Sequence, residues 1–348
     1  MKNSIKFGAV RRKPVNISEE QLVNLELLKP GQLLPLVIQP AVEGLSLIAW
    51  AASHREWIET HLLKHGGILF RNFNVKGTNE FEQFIQTISG TLLDYSYRST
   101  PRRQVSGKIY TSTEYPASQF IPLHNEMAYS LNWPMKIWFF CVKMPEQGGE
   151  TPIADSRTIF QRIAPNIKEQ FIQKQVLYIR NYSDTLDLTW QNVFQTTEKS
   201  EVERYCRQVG IEFEWKEGDR LRTRQVCPAV ATHPKTGKTV WFNQAHLFHV
   251  SSLEPEVRQT LLSSLEEDEL PRNAYYGDSS PIESFVLDEI RNIYQQEAVI
   301  FRWQEGDVLM LDNMLAAHGR TPFSGSRKVV VGMAEPFGIQ ENEIGKTE

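Results

Sequence analysis

The chain has 348 residues, of which 41% are apolar and 23% are charged, so it can bury a large core. These proportions exclude a disordered chain, a collagen and a coiled coil. Its 38 basic and 42 acidic residues give a net charge of −4. No general positive field therefore favours nucleic acid or an anionic membrane, and we expect a small-molecule partner.

Apolar runs and cysteines indicate the compartment. No run approaches the length of a membrane span, and the polar start at residues 1–4 lacks the apolar stretch of a secretory signal. We therefore expect a cytoplasmic protein. Three cysteines without CxxC spacing argue against a disulfide framework or a structural zinc site, so we expect buried thiols. They are Cys141, Cys206 and Cys227.

Two amphipathic helices are predicted near the N-terminus. Ser53 and Glu56 have the spacing of a capping box, and a helical apolar pattern follows until Gly66, after which residues 68–70 read as a strand. Asn79 and Glu82 repeat the capping pattern. The stripe predicted to bury the second helix is Phe81, Phe84, Ile85 and Ile88.

Short β-branched and apolar runs dominate the chain after about residue 105 and predict strands of one core. They cover residues 108–113, 136–143, 299–303, 308–311 and 329–332. A capping box at Ser280 with Pro281 at the first turn predicts a further helix. Its buried face should comprise Ile282, Phe285, Val286, Ile290 and Ile293.

The chain shows no internal repeat and no linker, so we expect a single domain over residues 1–348. Strand runs before and after residues 157–298 indicate a core, roughly 66–155 and 299–336, interrupted by a partly helical lid or insertion. Pairing of such distant strands fits a sandwich or barrel rather than a doubly wound fold. The fold class is therefore α+β, mainly β with flanking helices.

The pattern His124-Asn125-Glu126 is the most informative for chemistry. In extended backbone, residues two apart project to the same face, so an imidazole and a carboxylate can reach one metal ion. His318 follows the predicted strand 308–311 and supplies a third candidate ligand. Two histidines and one carboxylate on one face of a metal are typical of non-haem iron(II) oxygenases.

Two further residues suit an anionic co-substrate. Arg327 opens the apolar run 329–331, and a guanidinium can clamp a carboxylate through two parallel hydrogen bonds. Gly148 and Gly149 form a turn that would bring the hydroxyl of Thr151 toward the same opening. Both residues could therefore bind a dicarboxylate.

These segments resemble the taurine dioxygenase (TauD/TfdA) superfamily of iron(II)- and 2-oxoglutarate-dependent oxygenases, particularly its SyrP-like branch. The motifs are His124-Asn125-Glu126, residues 148–155, and residues 318–323 with Arg327, and the resemblance spans roughly residues 66–336. It implies a double-stranded β-helix (jelly-roll) core. It also implies iron ligation by His124, Glu126 and His318, and 2-oxoglutarate binding by Thr151 and Arg327. The commoner family carboxylate is aspartate, and glutamate is the SyrP-like variant.

The resemblance implies an oxidation that uses dioxygen and 2-oxoglutarate, releases succinate and carbon dioxide, and hydroxylates an unactivated C–H bond. The SyrP-like branch suggests an amino acid or a carrier-tethered aminoacyl substrate in specialised metabolism. Because Glu126 fills the carboxylate position, chloride has no vacancy and halogenation is disfavoured, whereas desaturation stays open. Candidate substrate contacts are Arg98 and Arg102, before the metal strand, and Asn243, within the insertion.

Two alternatives use the same residues differently. A zinc-dependent hydrolase could employ the same three ligands, because histidine and carboxylate also satisfy zinc. A cupin-like binding module could hold a ligand without catalysis. The sequence leaves the oxidised carbon, the pathway and the oligomeric state open.

Overall fold

The computed structural model describes residues 22–94, 97, 102–112, 115–184 and 187–338. Every statement below on structure concerns these residues. Strands β1 to β19, in chain order, are Val23–Leu27, Leu36–Pro40, Gly67–Phe70, Gln104–Ser106, Ile109–Thr111, Ile121–His124, Asn132–Lys143, Gln147–Gly148, Ile153–Asp155, Val176–Tyr182, Glu212–Lys216, Arg220–Cys227, Val230–Thr232, Thr239–Trp241, Arg272–Tyr276, Val308–Asp312, Ala316–Arg320, Phe323–Ser324 and Lys328–Gly338.

Helices connect these strands and pack against the sheets that the strands form. Helices α1 to α10 are Leu47–Ser53, Arg55–His65, Thr78–Ser89, Ser156–Arg162, Pro165–Lys174, Trp190–Phe194, Lys199–Gln208, Ala245–Phe248, Pro255–Ser264 and Ser284–Glu297. Two short 3-10 helices lie at Val250–Ser252 and Glu267–Glu269. No helix in the described ranges is both long and apolar enough to cross a lipid bilayer.

An eight-stranded sheet forms the base of the molecule, in the order β1-β2-β3-β16-β7-β19-β5-β4. Its pairs are antiparallel except for β2 with β3. The long strands β7 and β19 pair over most of their length, which confirms the predicted pairing of runs far apart in sequence. Helices α1 to α3 cover one face of this sheet, where residues such as Leu62, Phe81 and Trp138 share an apolar cluster.

The other face of the large sheet packs against a three-stranded sheet of order β6-β17-β9. The cluster between them takes Phe139 and Leu309 from the large sheet, and Ile153 and Ala316 from the small one. Strands β8 and β18 form a separate two-stranded sheet, in which Gly148 of β8 pairs with Phe323 of β18. The fold is therefore a mixed α+β architecture in which the core strands come from both ends of the chain.

The insertion is partly helical, as the sequence predicts, and it also contains strands that were not predicted from the sequence. Residues 157–298 contain a four-stranded antiparallel sheet of order β11-β12-β10-β15 and the hairpin β13-β14. Helices α4, α5, α7 and α10 pack with this sheet around a separate apolar cluster. Two strands of this sheet, β11 and β12, interleave charged residues with apolar ones, which gives a weak strand signal.

Three local predictions need correction. Ser53 ends α1 and bonds to the carbonyl of Ala49, so α2 begins after His54 rather than from a capping box. Likewise α3 begins after Gly77, which places Asn79 inside its first turn. In α10, Phe285 is 70% exposed although the spacing predicts it on the buried face.

The predicted strand 299–303 pairs only at Val299, which exchanges two backbone hydrogen bonds with Ile153. Its alternation nevertheless predicts burial correctly, because Phe301 and Trp303 are buried and Ile300 is exposed. All three cysteines are free and buried, as expected. In this segment the sequence thus indicates which side chains are buried, although it does not predict how the segment pairs with other strands.

Candidate metal centre

The antiparallel pairing of β6 with β17 brings two distant histidines together. His124, at the end of β6, lies directly opposite His318 in the ladder, and their ring centroids are 4.6 Å apart. Gly319 permits this close approach, because a Cβ atom there would lie 2.5 Å from the carbonyl oxygen of Ile121. A separation of almost two hundred residues in sequence is therefore closed by a single strand pair.

Glu126 completes a cluster of three candidate ligands. The ligand atoms of His124, Glu126 and His318 all lie within 4.8 Å of one another. Nε2 of His318 is 3.7 Å from Oε2 of Glu126, and both side chains are almost fully buried. Two imidazoles and one carboxylate with this spacing could hold one metal ion and leave other coordination positions open.

The protonation states suit a metal. Burial, with repulsion from His318, lowers the pKa of His124 to about 3, so its ring is neutral at physiological pH. Its Nδ1–H donates to the carbonyl of Pro122 at 2.8 Å, which leaves Nε2 with the free lone pair. Burial favours the neutral form of Glu126, but Arg102 and His318 outweigh it and lower the pKa of this carboxyl. His124 and Glu126 are therefore already in the deprotonated forms that bind iron(II).

Backbone contacts fix Glu126 in place. The side chain of Asn313, in the turn between β16 and β17, accepts from the N–H of Glu126 at 2.7 Å and donates to its carbonyl at 2.9 Å. Asn125 donates to the carbonyl of Asn313, and Gln244 from the insertion donates to the carbonyl of Asn125. Sequence reasoning missed Asn313 and Gln244, whose only signal was a polar pair beside a predicted strand or helix.

The predicted dicarboxylate residues line the same cavity as the two histidines. Arg327 and Thr151 both face it, as do Ser112, Phe139 and Arg320. The guanidinium of Arg327 donates from Nε to the carbonyl of Gly149 at 2.8 Å and from Nη1 to Oγ of Ser112 at 3.2 Å. Burial, with repulsion from Arg320, lowers the pKa of Arg327 to about 10, so it stays charged.

Aromatic and glycine residues set the position of these groups. Nε1 of Trp303 donates to Oγ1 of Thr151 at 3.1 Å, so the hydroxyl of Thr151 keeps its proton for another acceptor. Gly149 has a φ of 71°, and a Cβ there would lie 2.9 Å from Cδ of Arg327. The glycine pair is therefore required by its backbone conformation and by contact with the arginine.

Arg320 supports the wall of the cavity. Its guanidinium donates to the backbone carbonyls of Tyr115, Pro116 and Gln119, at 3.0, 2.7 and 3.0 Å. It thereby ties the segment before β6 to the strand that carries His318.

The three predicted substrate contacts differ in their surroundings. Arg98 lies outside the described residues. Nη2 of Arg102 lies 2.7 Å from Oε2 of Glu126, so this arginine contacts a candidate metal ligand. Asn243 is fully buried and uses its amide on backbone groups of Ala229 and Ala245. A substrate contact by any of them stays a prediction.

Known proteins resemble this chain over most of its length. Residues 31–333 match the family described as "Taurine catabolism dioxygenase TauD, TfdA family". The chain is 43% identical over 279 residues to the dapdiamide synthesis protein DdaC of Enterobacter agglomerans, covering 80% of this chain and 85% of that protein. It is 28% identical to a clavaminate synthase-like protein of Arabidopsis thaliana, covering 86% and 93%.

Solved structures show the same fold. PvcB from Pseudomonas aeruginosa superposes with a TM-score of 0.54 at 15% identity, covering 94% of both chains. At this identity the likeness supports the architecture alone.

Proposed function

Since the chain belongs to the TauD/TfdA family of iron(II)- and 2-oxoglutarate-dependent oxygenases, we propose that His124, Glu126 and His318 hold its iron(II), and that Thr151 and Arg327 hold its 2-oxoglutarate. One observation carries the proposal: the ligand atoms of three candidate metal ligands lie within 4.8 Å of one another, and both histidines line the cavity that Arg327 also lines. Family membership also decides against the zinc hydrolase and the silent binding module.

The side chains of this site have separate tasks. When bound, iron(II) with 2-oxoglutarate and dioxygen supplies the oxidation of a C–H bond, with succinate and carbon dioxide as further products. Arg327 pairs with the distal carboxylate of 2-oxoglutarate through its free guanidinium edge. Thr151 donates its hydroxyl proton to the same co-substrate, oriented by Trp303. Phe139 and Ile121 exclude water from this wall of the cavity.

We propose hydroxylation of an unactivated C–H bond in an amino acid or a carrier-tethered aminoacyl group. The SyrP-like glutamate at position 126 and the likeness to a protein of dapdiamide synthesis support a place in specialised metabolism. Since positioning of the substrate against the metal decides which bond reacts, the pocket beyond the metal selects the product. Desaturation is the alternative outcome of the same chemistry.

We also propose that the opposed sheets close into a jelly roll. The strand pairs β6-β17 and β16-β7 join segments from before and after the insertion, as the double-stranded β-helix requires. Residues 1–348 would then form a single oxygenase domain with its core at roughly 66–155 and 299–336. Residues 157–298 would cover the substrate side.

The metal and co-substrate sites can be tested without knowing the substrate. Protein loaded anaerobically with iron(II) should develop a visible charge-transfer band when 2-oxoglutarate is added, and His318→Ala should not. Absence of the band in a folded, iron-loaded wild-type protein would contradict the assigned sites.

The substrate class needs a separate assay. Free amino acids and aminoacyl groups on a carrier protein should be incubated with the enzyme, and the products examined by mass spectrometry for the gain of one oxygen atom or the loss of two hydrogens. Succinate release that no such compound stimulates would contradict the proposed substrate class and leave the sites intact.

A further inference from the structure

Hydrogen bonds hold both the backbone and the carboxylate of Glu126. Asn313 bonds both to the N–H and to the carbonyl of Glu126, so the peptide around the carboxylate is fixed. Glutamate nevertheless has one more methylene group than aspartate, and therefore one more rotatable bond between backbone and carboxylate. Fixing the peptide does not fix the direction of the carboxylate.

Arg102 restrains the carboxylate directly. Its Nη2 lies 2.7 Å from Oε2 of Glu126, and both side chains are only 3% exposed. The same carboxylate oxygen lies 3.7 Å from Nε2 of His318. A charge-assisted hydrogen bond of this length restricts the torsions of both side chains.

Stability does not explain this ion pair. Taking a guanidinium and a carboxylate out of water costs about as much as their attraction returns, so buried pairs are weak contributors to folding. Arg102 also lines the cavity that contains His124, Thr151 and Arg327. A charge buried at this point therefore acts on the site rather than on the fold.

We propose that Arg102 is a positioning residue of the metal centre, which holds the carboxylate of Glu126 in the orientation that directs Oε2 toward His318. The inference rests on the proposed metal site and deepens it. It also assigns Arg102 a role different from the substrate contact that the sequence predicts. An arginine suits the task because its planar fork directs the hydrogen bond, whereas lysine offers a point charge.

Cobalt(II) provides the test, because its visible absorption depends on the number and arrangement of its ligands. We expect Arg102→Ala to shift the cobalt(II) spectrum, measured without 2-oxoglutarate. Its cobalt(II) affinity should fall by about tenfold to a hundredfold, the range typical of groups that orient a metal ligand. Arg102→Lys should give an intermediate spectrum.

The Glu126→Asp background is the matched control. Aspartate is too short to keep the contact with Arg102, so removing the arginine there should leave the spectrum of Glu126→Asp nearly unchanged. This double-mutant cycle isolates the contact between the two side chains from any general effect of Arg102→Ala. Circular dichroism establishes that each variant is folded, and Arg102→Gln replaces Arg102→Ala if that variant does not fold.

Three results separate the outcomes. If Arg102→Ala and Arg102→Gln keep the wild-type cobalt(II) spectrum and affinity, Arg102 does not position Glu126 and the inference is wrong. If the spectral change is the same in the Glu126→Asp background, Arg102 does not act through Glu126. If wild-type protein binds cobalt(II) no better than His318→Ala does, the proposed metal site itself fails.

Discussion

Arg327 shows how a single side chain can be assigned from its environment. It is a mostly buried cation whose hydrogen bonds in the described structure go to a carbonyl and a hydroxyl rather than to a carboxylate. A buried guanidinium with neutral partners retains the capacity to bind an anion strongly. The neighbouring Gly149 is part of the same arrangement, since its missing side chain makes room for Arg327.

Arg327→Ala should weaken 2-oxoglutarate binding while iron(II) still binds. Loss of a charge-assisted pair in a buried site costs about 2–3 kcal/mol, which corresponds to roughly 30- to 150-fold in affinity. Titration of 2-oxoglutarate into anaerobic, iron-loaded protein measures it through the charge-transfer band. Unchanged co-substrate affinity would remove Arg327 from the site.

Gly149→Ala should lower 2-oxoglutarate affinity through Arg327. The added Cβ would meet Cγ of Pro145 at 2.8 Å and Cδ of Arg327 at 2.9 Å. Gly218→Ala is a matched control, because Gly218 has a similar φ of 69° but nothing within 4 Å of the added atom. Both variants should lose about 1–2 kcal/mol of unfolding free energy from the strained φ, and only Gly149→Ala should bind 2-oxoglutarate more weakly. Equal affinities in the two variants would contradict the contact.

Helix α10 shows where periodicity succeeds and where it fails. Its positions Val286, Ile290 and Ile293 are buried against the insertion, as a helical stripe predicts. Phe285 lies at the edge of that stripe and faces solvent, because Leu287 and Tyr294 fill the packed face instead. The apolar spacing predicts which side of α10 is buried. Packing with neighbouring elements determines how many residues that side includes.

A pair of substitutions in α10 checks this assignment. Ile290→Ala should lower the free energy of unfolding by about 2–5 kcal/mol, because it leaves a cavity at a fully packed position. Phe285→Ala should change it by less than about 0.5 kcal/mol, although it removes the larger side chain. Urea denaturation measures both, and a larger loss for Phe285→Ala would show that the helix is rotated from the described orientation.

Buried polar contacts join the insertion to the core. His246, in α8 of the insertion, donates from Nε2 to the carbonyl of Leu123, the residue before His124 in β6. His233 of the insertion lies 2.9 Å from Asp312, whose other oxygen accepts from two backbone N–H groups in the turn before β17. Folding of the insertion is thereby coupled to the geometry of the metal site.

Burial lowers the pKa of His246 to about 4, and this predicts an acid-sensitive fold. Between pH 6.5 and about 4 the unfolded chain protonates this histidine and the folded chain does not. Stability is therefore highest above pH 6.5 and is lost as the pH falls, by up to about 1.4 kcal/mol per pH unit for this group. His246→Gln keeps a donor for Leu123 and should flatten the pH dependence of unfolding free energy by one proton. An unchanged slope in denaturant melts at pH 6 and 5 would contradict this.

Residue types and their spacing, together with the family resemblance, predicted the chemistry of this protein. Two candidate ligands two residues apart, a third histidine after a strand and an arginine beyond it can all be identified without coordinates. The long core strands were also predicted, because a continuous apolar run requires a buried strand.

The contacts around these residues can be identified only in the folded structure. The contact of Arg102 with Glu126, the clamp by Asn313 and the link through Gln244 join residues that no local pattern connects. The sheet of the insertion and the exposure of Phe285 depend likewise on which elements pack together. Hydrogen-bond partners and packing neighbours are set by distances between chain segments, and a linear sequence carries those distances only where a short-range repeat or turn imposes them.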